Sequence, residues 1–352
     1  MSLSLLLGTV NAACSTGAQP APAAAPAPGA EDAAPVQVWQ ARAGRRFTGP
    51  VVIAGATLYG AGLDRKVYAV DVESGRTRWS SRLGGLIAGG VLVSGDTVFA
   101  ASSRPEGRVY ALDAESGHRF WRSGVGPVSA PLALAHGVLL AENQAGEVVG
   151  LDPADGDVRW RRKLGVARVA PVPGDSGTFV VATVDSLFRL SATDGRVVRR
   201  TASPGTVLSP WVRHGGLLVG GTTDSMIVAV GIDDLRPHWK ARLDAPVLDS
   251  PALAGGAVFA ATRRGTVYRI TLDSAASADK LRELEWPVTA PVTWYDGLIL
   301  LGGADGVLRA LRPDGQEVWR LQLRWPIELA PLPLPDGLLA IGGGGDLHRY
   351  RR

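Results

Sequence analysis

Disulfide bonding is excluded at the outset, because the 352 residues contain a single cysteine, Cys14, and any fold must be held by packing alone. Long apolar runs are also missing. The N-terminal stretch Leu3 to Val10 is too short for a membrane-spanning helix, which needs about 20 apolar residues. Lysine occurs only at Lys66, Lys163, Lys240 and Lys280, so the net charge of +4 and the pI near 9.4 come from arginine. These arginines are spread over candidate turns, with short runs at Arg159-Trp160-Arg161-Arg162-Lys163, Arg199-Arg200 and Arg349 to Arg352. A nucleic-acid groove needs cations gathered on one face with interleaved aromatics, so solvated loops are expected and no nucleic-acid partner. No Walker loop, dinucleotide glycine fingerprint or Ser-His-Asp arrangement is present. His118, His136, His214, His238 and His348 show no pairing at ligand spacing.

Glycine and proline, by contrast, are abundant. Gly 45 and Pro 24, with 46 % hydrophobic and only 20 % charged residues, suit many short buried strands joined by tight turns, and the class is all-β. A small residue followed by proline recurs at Gly49-Pro50, Ala130-Pro131, Ala170-Pro171, Ser209-Pro210, Ser250-Pro251, Ala290-Pro291 and Ala330-Pro331, with Gly89-Gly90 filling the remaining place. Successive spacings from Pro50 are 40, 41, 40, 39, 41, 40 and 40 residues, the period of a β-propeller blade. After each marker comes a Gly-bearing turn and a dense apolar run such as Thr57-Leu58-Tyr59 or Leu298-Ile299-Leu300-Leu301, the pattern of a strand buried on both faces. A second hairpin leads to Val67-Tyr68-Ala69-Val70-Asp71, Gly75 and Trp79, repeated at Val109 to Trp121 and Val148 to Trp160. There the Asp accepts hydrogen bonds from turn amides and the Gly supplies a positive φ. The motif is a turn device and not a pair of catalytic acids. Trp39, Trp79, Trp121, Trp160, Trp239, Trp286 and Trp319 are read as its outer-strand anchors, with Arg199 replacing the anchor in the fourth blade.

These observations predict an eight-bladed β-propeller of four-stranded antiparallel blades over 36–352. The last repeat stops at Leu347-His348-Arg349-Tyr350, before any Asp-Gly-Trp hairpin, while Val36-Gln37-Val38-Trp39 is an orphan outer strand. The N-terminal strand is therefore expected to close the ring. Residues 1–14 read as a secretory signal and 15–35, rich in Ala and Pro, as a disordered tether. Cys14, directly after Ala12-Ala13, resembles the lipobox cysteine of bacterial lipoproteins and is the candidate lipid-attachment residue. The alternative is an incidental cysteine in an ordinary signal peptide.

The Asp-Gly-Trp sentence resembles the repeat of the PQQ-like β-propeller family, from Val36 to the C-terminus. Quinoprotein dehydrogenases of that family hold pyrroloquinoline quinone over calcium beside adjacent cysteines, which a chain with Cys14 alone cannot supply. The repeat number, length, closure and anchor resemble the BamB family of outer-membrane assembly lipoproteins. That resemblance implies a non-enzymatic, monomeric periplasmic scaffold without a cofactor, lipid-anchored at the outer membrane and bound to the barrel-assembly complex. A generic extracytoplasmic binding propeller, periplasmic or secreted, is the alternative, with a quinoprotein dehydrogenase behind both. Partner-binding residues are not assignable; Asp249, in Leu248-Asp249-Ser250-Pro251, is the one position comparable to the family's acidic loop. Trp211, Trp294 and Trp325 lie near the small-Pro markers and are expected to pack strands, a cofactor floor being the alternative. The longer stretch Ser274 to Glu285 is a candidate contact loop.

Overall fold

The computed structural model describes residues 33–104, 107–128, 130–272 and 277–352. Cys14 and almost all of the proposed signal and tether lie outside the described residues. Between Val36 and Arg351 the described residues form 32 strands in eight separate four-stranded antiparallel sheets, the eight blades of a propeller. In each complete blade the strands pair in chain order, from a short innermost strand beside the small-Pro marker to an outer strand at the rim. The predicted apolar runs are the second strands, and Thr57–Ala61, Val138–Glu142 and Thr178–Ala182 are buried along their whole length. Apolar residues on both faces of these strands fill the seams between neighbouring blades, and each seam has its own buried cluster.

The ring closes as the sequence predicts. Val36–Arg42 pairs antiparallel with Asp346–Arg351, Gln37 opposite Tyr350 and Ala41 opposite Leu347. Blade eight is thus built from both chain ends, which removes an open edge. His348 lies buried in this seam, stacked on Tyr350 at 6.3 Å between ring centroids, with Nδ1 3.3 Å from Gln37 Oε1.

Successive blades are stapled by a device that explains the Asp-Gly-Trp spacing. Four anchor Trp rings, Trp39, Trp79, Trp121 and Trp160, lie over the turn glycine of the next blade, and each indole N–H donates to a carbonyl of that turn. Trp39 reaches Val72 O at 3.2 Å, Trp79 reaches Ala114 O at 2.9 Å, Trp121 reaches Pro153 O at 3.1 Å and Trp160 reaches Ala192 O at 2.8 Å. The glycine is required twice over. Gly75 and Gly117 have φ of 70° and 72°, and a Cβ there would stand 2.8 and 2.5 Å from the ring above. The aspartates act as predicted: Asp71 Oδ1 accepts from Ser74 N at 2.8 Å, and Asp113 Oδ1 from Ser116 N at 2.6 Å.

The fourth blade shows how the staple is replaced. Arg199 takes the Trp position opposite Arg189, and Leu235 takes the glycine position of the next turn at φ 54°. Leu235 is fully buried against Ala182 and Leu187 of blade four, so a side chain from the turn fills the slot the missing ring would occupy.

The structure corrects the anchor assignment of Trp286. The outer strand of blade six is Ala278–Glu283, and Trp286 follows it, 53 % exposed. Leu281 occupies the anchor place, with its backbone against Gly315 of the next blade. Blade six therefore lacks the Trp as well, and Arg199 does not mark the only gap. Trp286 falls past the end of the outer strand in this repeat, so counting tryptophans assigns the wrong residue. Half of the proposed contact loop Ser274 to Glu285 is this outer strand, while its first three residues, 274–276, lie outside the described residues. Gly89-Gly90 departs from the Pro marker because the blades approach closely here; a Cβ on Gly90 would sit 2.5 Å from Pro50 O.

Candidate binding face at the propeller axis

In an antiparallel four-stranded blade, the loop entering the innermost strand and the turn between the second and third strands emerge on the same face. Here that face carries a cavity of about 800 Å³, lined by Arg46, Phe47 and Leu63 of blade one, Leu248, Asp249 and Arg263 of blade six, and Pro287, Glu328 and Leu329 from the entries to blades seven and eight. A second space of about 220 Å³ shares Gly49, Asp249, Glu328 and Leu329 with the first. It is walled by Pro50, Pro210 and Pro291, the small-Pro markers, which places it at the axis. The markers thus set the inner wall of the channel, because proline needs no ladder partner where the innermost strand begins.

Charge in the cavity is paired unequally. Arg46 holds Glu328 at 2.6 Å, whereas Asp249 has no ion-pair partner among the described residues. Burial, reinforced by the nearby Glu328 charge, pushes the Asp249 carboxyl up to about 6. Asp249 thus sits where the charged mouth meets the proline-walled channel.

The same face carries two exposed tryptophans outside the cavity wall, and Trp286 lines a separate pocket with Arg282, Glu317 and Arg320 of the blade six and seven outer strands. Trp286 is 53 % and Trp325 41 % exposed, and both stand immediately before a proline at the same point of consecutive repeats, Trp286-Pro287 and Trp325-Pro326. Leu63 and Leu248 are also exposed, and the Arg324 guanidinium lies 5.4 Å from the Trp325 ring centre. The sequence reading missed Trp286 and Trp325 as surface residues; the Trp-Pro dipeptide repeated 39 positions apart was the available signal. Trp211 and Trp294 do pack strands. Trp294 stacks on Phe259 at 5.7 Å, and Trp211 lies against the seam of blades four and five.

Among the described residues no group of three or more His, Cys, Asp or Glu is placed to hold a metal ion. The cavity's two carboxylates do not fit a quinone held over calcium, since Glu328 is committed to Arg46 and the walls beyond Asp249 are Pro and Leu. His136 Nε2–H donates to the Gly174 carbonyl of the next blade at 2.9 Å, a contact across the seam.

Comparison with known proteins agrees with the fold and narrows the family. A family profile described as outer membrane protein assembly factor BamB matches residues 32–170, 105–210 and 207–326. Curated BamB of Salmonella typhimurium is 30 % identical over 141 residues, 39 % of this chain and 36 % of that protein. BamB of Yersinia pestis is 26 % identical over 157 residues, 39 % of each chain. The aligned stretches thus span well under half of these relatives. Among solved structures, BamB from Moraxella catarrhalis superposes with a TM-score of 0.77 at 17 % identity, covering 91 % of this chain and all of that one. A quinohemoprotein alcohol dehydrogenase from Pseudomonas putida gives 0.69 at 12 % identity, covering 89 % of this chain and 76 % of that one, a likeness of fold alone. With the profile covering most of the ring, the chain belongs to the BamB family of outer-membrane protein assembly factors.

Proposed function

We propose that this protein is a non-enzymatic periplasmic scaffold in the assembly of outer-membrane β-barrel proteins, held at the membrane by a lipid on Cys14 and docking a protein partner on its axial face. The observation that carries the docking site is the pair of exposed Trp-Pro corners on the face that bears the charged mouth. Large aromatic residues beside arginines are the side chains that dominate protein interfaces. Exposed tryptophans on a rigid ring lose little freedom on binding, which favours a preformed surface. The Ala/Pro stretch 15–35 fits a tether giving the ring reach from its anchor. The ring acts as a monomer in this reading.

Affinity purification after mild detergent extraction tests the reading. The wild-type chain is expected to bring down the barrel-assembly complex, and Trp286→Ala/Trp325→Ala to lose it while remaining folded. Cys14→Ala is expected to move the protein from the membrane to the soluble fraction. Recovery of no assembly component by the wild type defeats the proposal. The cavity of about 800 Å³ favours one other reading, a propeller that binds a small ligand at its axis. Under that reading Asp249→Asn changes ligand-induced thermal stabilisation and the double Trp variant does not.

A further inference from the structure

The arginines spread along the sequence converge in space, contrary to the expectation of scattered loop charges. The outer strands of blades two, three and four, Arg119–Gly124, Val158–Lys163 and Val197–Ala202, carry Arg119, Arg122, Arg159, Arg161, Arg162, Lys163, Arg199 and Arg200 and not one acidic residue. The outer strands of blades six and seven, Ala278–Glu283 and Glu317–Gln322, balance their cations with Asp279, Glu283 and Glu317. The outer strands of blades one and five, Thr77–Arg82 and Pro237–Arg242, also carry two cations each and no acid, so the basic arc runs from blade one to blade five and is densest at blade three.

The register organises the arc. Arg122, Arg161 and Arg200 each directly follow the anchor position, so they form a row across three blades. Arg161 donates back to Gly124 O of blade two at 3.1 Å, and Arg162 donates forward to Gly195 O of blade four at 3.0 Å. These two guanidinium groups bridge the seams on either side of blade three and make the basic surface continuous. Arg200 lies 5.3 Å above the Phe188 ring. Phe120, 58 % exposed, and the exposed Val198 stand two residues before Arg122 and Arg200 on the same side of their strands. Of the nearby acids, Asp155, Asp157 and Asp194 sit in the hairpin turns at the far end of these strands from Lys163, Asp152 pairs with Arg159 at 2.6 Å, and Glu147, opposite Lys163, lies 3.8 Å from Arg161.

We infer that this arc of the rim rests on an anionic lipid surface. A propeller rim is convex, so it offers no groove to a nucleic-acid strand, but several arginines in a row meet a planar array of phosphates, each through a forked donor pair. The apolar residues beside them suit the boundary between headgroups and acyl chains. The inference stands apart from the partner docked at the axis. It makes the blade two to four side of the ring the side that faces the membrane.

Vesicle flotation tests it, using the full chain with Cys14→Ala so that no lipid anchor contributes. The protein is expected to partition at least about tenfold more strongly onto phosphatidylcholine vesicles containing phosphatidylglycerol than onto phosphatidylcholine alone, and to be released by salt. Arg122→Glu/Arg161→Glu/Arg200→Glu is expected to lower partitioning roughly a hundredfold, with the milder Gln triple variant as a control for folding. Phe120→Ser lowers it without altering the salt dependence. Lys280→Glu/Arg320→Glu, on the opposite rim, leaves it unchanged. Equal partitioning onto neutral vesicles overturns the inference, as does equal loss in the opposite-rim variant. Competition by polyglutamate at equal charge, with Phe120→Ser silent, also overturns it and assigns the arc to an acidic protein.

Discussion

Exchanging the staple of blade four for that of its neighbours tests whether Arg199 and Leu235 are one compensated unit. Leu235→Gly removes a fully buried side chain. Truncating a buried leucine costs about 2–5 kcal/mol, of which roughly 1 kcal/mol returns because a glycine holds φ 54° without strain. Arg199→Trp alone has no slot for its ring, since Leu235 fills it. The indole then either stays in solvent at little cost or overpacks the seam at about 1–3 kcal/mol. With both changes the ring can lie on the bare turn backbone that Leu235→Gly exposes, and its N–H can donate to Ile232 O, the counterpart of Val72 under Trp39. The double variant should therefore be more stable than the sum of the singles by at least about 2 kcal/mol. Urea unfolding of the four proteins, with a common m-value, reads this coupling energy. Additivity within about 0.5 kcal/mol would refute the account of the seam.

Three further outcomes follow from buried groups. Gly117→Ala drives a Cβ into the Trp79 ring at a positive φ and should cost about 2–4 kcal/mol, most of it recovered with Trp79→Leu, as a thermal-melt cycle would show. Glu142 is buried at the end of a second strand with neither carboxylate oxygen partnered among the described residues, and burial pushes its carboxyl well above the usual range. The unfolded state then binds fewer protons than the native one, so stability falls as pH rises above the unfolded value of 4.5; Glu142→Gln should remove that slope and add about 1–3 kcal/mol at pH 7 in denaturant titrations. Burial lowers the His348 imidazole, with the Asp346 charge opposing, so its contribution is present above pH 6.5 and lost as pH falls through the folded value. Melting temperatures of His348→Asn between pH 7 and 5 should decline less than those of the wild type.

Residue spacing alone carried the architecture. The small-Pro period, the Asp-Gly-Trp sentence and the unmatched outer strand at Val36 each mark local backbone geometry: an innermost strand that begins without a ladder donor, a turn that needs a left-handed residue, an edge that needs a partner. Such requirements act within a few residues or at one fixed period, so a single chain displays them, and eight blades closed by the N-terminal strand could be read directly. The binding face was less legible. Trp286 and Trp319 look alike in sequence, yet Trp319 is buried in a seam and Trp286 stands exposed beside the outer strands of blades six and seven, because the Trp of the sixth repeat falls past the end of its strand. Asp249 and Glu328, 79 positions apart, interact only because the ring returns the chain to its axis twice. The arginine arc is hidden for the same reason, since cations in different repeats become neighbours once outer strands align around the rim. Periodic backbone demands were thus determined by the sequence. Which side chains share a surface was decided by closure of the ring, which converts equal positions in different repeats into adjacent positions in space.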